Sequence, residues 1–420
     1  MTKRKRLLCG TAAVLLGFPP AAARAAVPFG LQSDTVVRFF SQERAGADKE
    51  KGVPAYEYLR ADAGHLDGPG LSAHAYGWGR YDLGSYYDDK SEGEILYGYL
   101  QYAWAANNAF VRAGRQYVFQ GVADDTVDGL RVGSDVTPYA TLSAYGGQPV
   151  SLETTNGRAG DRTWGGRAAH HFGGYYEIGV SFQRTDNDGE RQEERLGIDS
   201  SITPPGPVSL TGASVRNLAT DAWSEHAYEA RLALGPFDLR PSFQRFDYGA
   251  YFGDGDKVPQ VFRFLKSSDE IVTTLGAGAS WVLPNRLEVA AKAKHYDYRE
   301  ATDTAWYGAG LLTYRLGGAS EVGAEGGRMH GSTADNRYWL WRGHGYWEKG
   351  ALLLSGDAVY VTYDEDIQDR GHSTFASLGA GTRLLSDALK LTLSGEYSAD
   401  PYFDKDLRAT LTAQYSFGAK

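Results

Sequence analysis

The chain has 420 residues, a formal net charge of −9 and a single cysteine, Cys9. This net negative charge argues against a basic patch that could bind nucleic acid. Because Cys9 lies in the N-terminal segment, the remaining chain can form neither a disulfide nor a cysteine-based zinc or haem site. The 53 glycines, 28 tyrosines and scarcity of long helix-forming runs argue against a helix-rich enzyme and favour an all-β protein without a cofactor.

The N-terminal segment has the layout of a secretory signal. Residues 3–6 are basic, residues 7–18 are apolar, and Ala23-Arg24-Ala25 resembles a small-residue cleavage site. The apolar stretch is about a dozen residues, too short for the roughly 20 that a spanning helix needs. We predict a signal peptide over residues 1–25, cut after Ala25 or Ala26, and one β-barrel domain over residues 26–420.

Apolar and polar residues alternate with a period of two over most of the chain from about Ser33 onward. In the stretch 176–182, Tyr176, Ile178 and Val180 share one face, and the residues between them are polar or small. The pattern is clearest from Ala222 onward, and it continues through the stretch 407–417. Such alternation predicts strands with one apolar and one polar face.

Two kinds of connection separate these strands. Short ones read as hairpin turns, at Asn107-Asn108, Gly173-Gly174, Gly235-Pro236, Pro284-Asn285, Gly317-Gly318, Lys349-Gly350 and Ser386-Asp387. Long polar ones are predicted at Glu43–Gly52, Phe119–Thr126, Asn187–Asp221, Phe252–Ser267 and Asp364–Gly371. Because the two kinds alternate, we expect the two ends of the sheet to face different surroundings.

A secreted β-sandwich would also alternate, but three features favour a membrane barrel. The predicted strands have about 10–16 residues, longer than soluble strands, and a tilted membrane-crossing strand needs about 9–11. Mid-strand arginines and lysines keep to the polar face, as they must if the other face meets lipid. Tryptophans lie near strand ends, as in interfacial girdles, at Trp104, Trp164, Trp223, Trp281, Trp306, Trp339, Trp341 and Trp347.

The sequence therefore predicts a transmembrane, antiparallel, up-and-down β-barrel with short periplasmic turns and long extracellular loops. Counting strand directions gives about 18–20 strands, and 20 requires that Val127–Tyr145 is two strands broken near Thr137-Pro138. A barrel of this size encloses an aqueous passage unless it is plugged. The segment Asn187–Asp221 is long enough either to fold inward and narrow the lumen or to remain at the surface.

Residues 111–132 read VRAGRQYVFQGVADDTVDGLRV. A GRQ triplet that closes one strand and a DG pair that opens the next resemble porin-like families of Gram-negative outer membranes, alginate-export-type porins in particular. The resemblance implies a channel whose constriction includes Arg112, Arg115, Gln116, Asp128 and Arg131. Strict alternation puts Arg112 and Gln116 on one face and Arg115 on the other, unless Gly114 forms a bulge.

The C-terminal strand supports the same resemblance. It contains Tyr415-Ser416-Phe417, which is similar to the terminal aromatic signature of outer-membrane barrels. Gly418-Ala419-Lys420 follows it here, whereas the usual signature ends on phenylalanine.

Alternation also identifies side chains that would line the lumen and select hydrated solutes by charge and size. These pore-lining candidates are Arg112, Gln116, Glu229, Arg231, Asp238, Arg240, Gln244, Lys292, Lys294, Arg342, Lys390, Glu396 and Arg408, with Arg115, Asp128 and Arg131 as constriction candidates. Mutual ion pairing that stiffens the wall is the alternative role for any one of them.

Catalytic motifs are absent: the sequence has no GxSxG, no HExxH and no phosphate-binding P-loop. Two acidic groups, Asp364–Asp366 with Asp369 and Asp124-Asp125 with Asp128, lack the spacing of a calcium loop. We interpret both groups as solvated acidic stretches and expect no metal site.

The sequence favours an outer-membrane, porin-like channel for passive diffusion of small hydrophilic solutes or ions, and not an enzyme. Its expected partners are outer-membrane lipid, the solutes and a possible second copy of the chain, with no nucleic acid. A barrel that sheathes a partner such as a multihaem cytochrome is the alternative. An interfacial enzyme is a third possibility.

Overall fold

The computed structural model of the chain describes residues 28–44, 48–150, 160–252, 269–300 and 302–419. The predicted signal peptide lies outside the described residues. The strands are β1 (Phe29–Arg44), β2 (Glu50–Gly52), β3 (Pro54–Gly64), β4 (Gly70–Asp82), β5 (Ser91–Ala103), β6 (Phe110–Gln120), β7 (Ala123–Thr137), β8 (Ala140–Pro149), β9 (Arg162–Phe172), β10 (Tyr176–Asn187), β11 (Glu190–Ile202), β12 (Val208–Asn217), β13 (Ala222–Leu234), β14 (Phe237–Asp247), β15 (Ile271–Val282), β16 (Leu287–Tyr298), β17 (Asp303–Gly317), β18 (Ser320–Gly331), β19 (Tyr338–Lys349), β20 (Leu352–Ile367), β21 (Arg370–Leu384), β22 (Leu389–Ala399) and β23 (Phe403–Ala419).

These strands form one closed antiparallel sheet. From β3 to β23 each strand pairs with the next along the chain, and β1 pairs with β3 on one side and with β23 on the other. The seam runs from Phe29 opposite Ala419 to Arg44 opposite Phe403. The short β2 continues the line of β3, because both pair with β1. The predicted barrel is confirmed, with 22 spanning strands.

The predicted count of about 18–20 strands was too low. The break near Thr137-Pro138 is correct, since β7 ends at Thr137 and β8 begins at Ala140. The error lies at Asn187–Asp221, which is not a loop. It contains β11 and β12, which pair with each other and with both neighbouring strands.

The two ends of the barrel differ in their connections. We call the end at which β1 begins and β23 ends the lower end, and the opposite end the upper end. Connections at the lower end have two to six residues and include all seven predicted short turns. At the upper end, two predicted loops were wrong: β6 and β7 meet in a tight turn inside Phe119–Thr126, and β20 and β21 do so inside Asp364–Gly371.

The remaining predicted loops are only partly described. In Glu43–Gly52, the strands β1 and β2 approach each other, and residues 45–47 lie outside the described residues. Phe252–Ser267 lies outside them except for Phe252, which ends a one-turn helix, α1 (Tyr248–Phe252). None of the helices in the described part of the chain has the length and apolar character needed to cross a bilayer.

The apolar face of the sheet is the outside of the barrel. Leu393 on β22 is 58% exposed and lies directly opposite Leu411 on β23, which is 50% exposed. The intervening residues, such as Thr392 and Arg408, point into the lumen. Large apolar side chains that the interior of a soluble protein would bury thus cover the exterior, as a hydrocarbon environment requires.

The carboxylate of Glu57 lies among the apolar residues of this exterior. Glu57 on β3 lies on the same face as the exposed Leu59, opposite Thr35 and two residue pairs from the upper end of the pairing that β3 forms with β1. The Ser33 and Thr35 hydroxyls donate hydrogen bonds to its two oxygens, at 2.5 and 2.6 Å. Because an ionisable group in a membrane needs polar partners, these two hydroxyls are what makes Glu57 tolerable there.

The assigned faces predict opposite outcomes for neighbouring substitutions. Leu393→Arg or Leu411→Arg places a guanidinium in the lipid, at a cost of about 2–4 kcal/mol, and should prevent assembly into lipid vesicles. Thr392→Arg and Thr410→Arg, which point into the lumen, are the matched controls and should assemble normally. The fraction folded can be measured by heat-modifiable gel mobility. Equal folding of all four variants would contradict the assigned faces.

Candidate functional site: the lumen and its inner hairpin

The upper part of the β6–β7 hairpin leaves the barrel wall and folds inward. Pairing between β5 and β6 ends at Gly98 opposite Arg115, whereas β6 and β7 stay paired up to Gln120 opposite Ala123. The turn at Gly121-Val122 then reaches the inside of β10. We call residues 116–127 the inner hairpin.

One face of the inner hairpin packs against the inner surface of the wall. Val118, Ala123 and Val127 form a buried cluster with Tyr145 of β8. The Val122 backbone N–H donates to Ser181 Oγ on β10 at 3.0 Å, and Ser181 points inward because Ile178 and Val180 point outward. The inner hairpin is therefore fixed by a small apolar core of its own.

Two glycines of the GRQ and DG motifs allow this bend. Gly114 has φ of 125°, which strongly favours glycine. A Cβ there would collide with the carbonyl oxygen of Gly98, and one at Gly129 would collide with that of Gly146. The motifs that resemble those of porins therefore let the hairpin approach its neighbours closely.

Arg115 and Asp128 hold the base of the inner hairpin. Arg115 Nε and Nη2 donate to the two oxygens of Asp128 at 2.8 and 3.1 Å. Arg115 Nη1 donates to the carbonyl oxygen of Ile95 at 2.8 Å, on the stretch of β5 from which β6 has separated. Arg115 thus supplies the hydrogen bond that a paired strand would have made to Ile95. The Arg115–Asp128 ion pair holds the point where the hairpin leaves the wall.

Gln116 does not line the open lumen, so this pore-lining prediction was wrong. Its side chain is 1% exposed, because it lies on the packed face of the inner hairpin. The opposite face carries Tyr117 and Phe119, which are 50% and 71% exposed. Their rings are 6.3 Å apart and nearly parallel. Because of the bend, Gln116 is buried beneath the inner hairpin, and Tyr117 and Phe119 are exposed on its opposite face.

Helix α1 covers another part of the inner wall near the upper end. Arg195 of β11 lies 3.9 Å from the ring centre of Tyr251 and donates to its hydroxyl at 2.9 Å. Asn217 of β12 donates to the carbonyl oxygen of Ala250 at 2.9 Å. Burial, and then the negative charge of Glu270, raise the pKa of the Tyr248 phenol. Together, α1 and the inner hairpin narrow the lumen on the β7–β13 side.

Ion pairs cover much of the remaining lumen wall. Asp238 accepts hydrogen bonds from Arg231 and from Arg240, the latter at 2.7 Å. Lys292 Nζ lies 2.6 Å from Glu325 Oε1. These two groups stand on neighbouring parts of the wall, so the surface presents fixed charges of both signs.

A second set of pairs continues the same surface. Arg342 Nε donates to Asp357 at 3.0 Å, and these residues, with Lys292 and Glu325, line a recess of about 530 Å³. Arg408 Nη2 donates to Asp406 at 2.6 Å. Each ion pair between an arginine or lysine and a carboxylate links side chains of the wall, which makes the wall more rigid and keeps its surface polar.

The structure places most of the predicted pore-lining side chains on the inward face. Alternation from the exposed apolar residues puts the following inward: Arg112, Glu229, Arg231, Asp238, Arg240, Gln244, Lys292, Lys294, Arg342, Lys390, Glu396 and Arg408. Arg131 lies opposite Arg112 on the paired strand. Arg115 and Asp128 instead lie at the base of the inner hairpin, where they pair with each other.

The acidic groups weighed as calcium sites hold protein partners. Asp364 accepts from Arg328 at 2.7 Å, and Glu365 accepts from Arg337 at 3.0 Å. Asp124 and Asp125 accept from Tyr117 and Gln183. Within the described ranges, no cluster of three or more histidine, cysteine or acidic residues could hold a metal ion.

The sequence-based set of pore-lining residues does not include an aromatic lining on β3, β4 and β5, the part of the wall next to β6. Leu59, Leu71 and Leu100 point outward there, so their neighbours point inward. Those inward residues include Tyr56, Tyr58, Tyr76, Trp78, Tyr97 and Tyr99, which we call the aromatic track. The alternation of apolar and polar residues in β3, β4 and β5 carries this signal, but the predicted pore-lining set contains no residue of these three strands.

Comparisons with solved structures find barrels of the same architecture. The ferric enterobactin receptor PfeA of Pseudomonas aeruginosa, as an R480A/Q482A mutant, superposes with a TM-score of 0.58 at 10% identity, covering 92% of this chain and 80% of the receptor. The siderophore receptor PirA of the same organism gives 0.56 at 12% identity, with the same coverage. At these identities the similarity shows the fold alone.

A third similarity is to OccAB2 of Acinetobacter baumannii, with a TM-score of 0.47 and 10% identity over 93% of this chain and 98% of that protein. No family model matches the sequence, and no curated protein matches it. The resemblance to alginate-export-type porins therefore remains a resemblance carried by residues 111–132.

The packing of the inner hairpin gives a matched test. Val118→Asp places a carboxylate in the buried cluster at a cost of at least about 2 kcal/mol, so it should release the hairpin. Phe119→Asp, one residue away on the exposed face, should leave the hairpin in place. Limited proteolysis of the folded barrel should cut within residues 116–127 only in Val118→Asp. Equal protection of both variants would contradict the packing.

Proposed function

We propose that the chain is an outer-membrane, porin-like channel through which small hydrophilic solutes or ions diffuse without energy input. The observation that carries the proposal is the combination of a closed 22-strand barrel with an apolar exterior and a lumen lined by charged and polar side chains. A barrel of this circumference is wide enough to hold water throughout. The signal-like segment and the C-terminal aromatic signature support placement in the outer membrane.

The inner hairpin and α1 would set the effective width of the passage. Both lie inside the wall on the β7–β13 side, so solutes would pass between them and the opposite wall. Charged pairs such as Arg231–Asp238–Arg240 would act on solutes as they pass, because fixed charges at close range select by sign. The lower end, with its short turns, would face the periplasm, and the upper end would face the external medium.

The direct test is electrical. Purified protein inserted into a planar lipid bilayer should give stepwise, ohmic increases in current in potassium chloride. Denatured protein at the same concentration is the control and should give none. A folded, inserted barrel that conducts no ions would contradict the proposal.

The lumen charges predict a change in ion selectivity. Replacing Arg112, Arg231 and Arg240 together by glutamine removes three inward positive charges, so the cation-to-anion permeability ratio should rise roughly two- to fivefold. Arg245→Gln is the control, because Arg245 shares the outward row of Phe243 and Leu239. Reversal potentials in a salt gradient measure the ratio. An unchanged potential in the triple variant would remove these arginines from the conduction path.

A further inference from the structure

The aromatic track forms a continuous series of ring contacts along the lumen wall. Tyr56 and Tyr58 have ring centres 6.3 Å apart, and Tyr58 and Tyr76 have centres 6.5 Å apart. Tyr76 contacts Tyr97 at 5.5 Å, and Tyr97 contacts Tyr99 at 5.8 Å. All of these rings are half-buried, so each keeps part of its surface open to the lumen.

The aromatic track extends along the barrel wall from the upper end toward the lower end. Tyr56 lies near the upper end of β3. His74 of β4 pairs with Asp62 of β3 on one side and with Tyr99 of β5 on the other, so Tyr99 and Asp62 lie at the same level near the lower end. Six residues of strand separate these levels, which is about 20 Å at roughly 3.3 Å per residue. The rings therefore line a large part of the passage and are not confined to one belt.

Guanidinium groups stand at both ends of the aromatic track. Arg38 lies 6.0 Å from the ring centre of Tyr56, and Arg112 lies 4.8 Å from that of Tyr99. Arg38 and Arg112 form no ion pair with any acidic residue in the described part of the chain. Arg60, between the two ends, pairs with Asp62 at 2.8 Å and is half-exposed.

We propose that the aromatic track is a binding path for small aromatic carboxylates, a proposal that rests on the channel function. A flat ring could pass from one track ring to the next, because adjacent centres lie within the 4.5–7 Å range in which aromatic pairs attract. The carboxylate of such a solute would be received by Arg38 at the upper end and by Arg112 at the lower end.

Binding should show as block of chloride current through single channels by sodium benzoate. Sodium cyclohexanecarboxylate is the matched comparison, because it has the same charge and nearly the same size but no π face. We expect benzoate to reach half-block at a concentration about fivefold lower than cyclohexanecarboxylate. This ratio corresponds to the free energy of one favourable pair of aromatic rings. Tyr58→Leu and Tyr97→Leu, tested separately, should each bring this ratio toward one.

Tyr346→Leu is the control variant, since Tyr346 points into the lumen from β19 on another part of the wall. It should keep the fivefold ratio. Equal block by the two acids in the wild-type channel would overturn the proposal and leave the channel function intact. Stronger block by sodium glucuronate than by benzoate would overturn it in favour of sugar acids. A folded barrel without any chloride current would contradict both proposals.

Discussion

The requirement that every backbone N–H and C=O in a membrane be paired determines the rest of this structure. A sheet meets it only by closing on itself, and the long seam between β1 and β23 is where closure occurs. Once the sheet is closed, the two faces meet different solvents. The exterior must be apolar, as at Leu393 and Leu411, and charges must turn inward. Glu57 is tolerated outside because two hydroxyls bind it.

The same requirement explains how the inner hairpin can leave the sheet on the inside of the barrel. Where β6 separates from β5, Arg115 donates to the Ile95 carbonyl oxygen that would otherwise lack a strand partner. The inner hairpin then buries Val118 and Val127 against the wall and so replaces lipid contact with protein contact. Its other face, with Tyr117 and Phe119, stays open to the lumen. The GRQ and DG motifs are thus first of all a means of bending a hairpin inward, and their effect on the passage follows from that bend.

The sequence predicted the faces of the strands well and the number of strands less well. Period-two alternation is strong where each strand supplies its own apolar exterior, as in β22 and β23. It is weak in β12, whose outward positions include Gly212 and Ser214. The ring of Tyr228 on β13 lies against Gly212, so a neighbouring strand supplies the apolar cover. Gln116 was placed in the open lumen because no local pattern reveals that a hairpin leaves the wall.

The central claim is that one closed sheet separates lipid outside from water inside, and cysteine labelling tests it most directly. Cys9 lies in the segment predicted to be removed, so single cysteines at each position from 389 to 399 can be read without background. A charged, water-soluble thiol reagent should label residues 390, 392, 394, 396 and 398 in the membrane-inserted protein. A lipid-soluble reagent should label the residues between them. Labelling without this alternation, or in the opposite phase, would contradict the account.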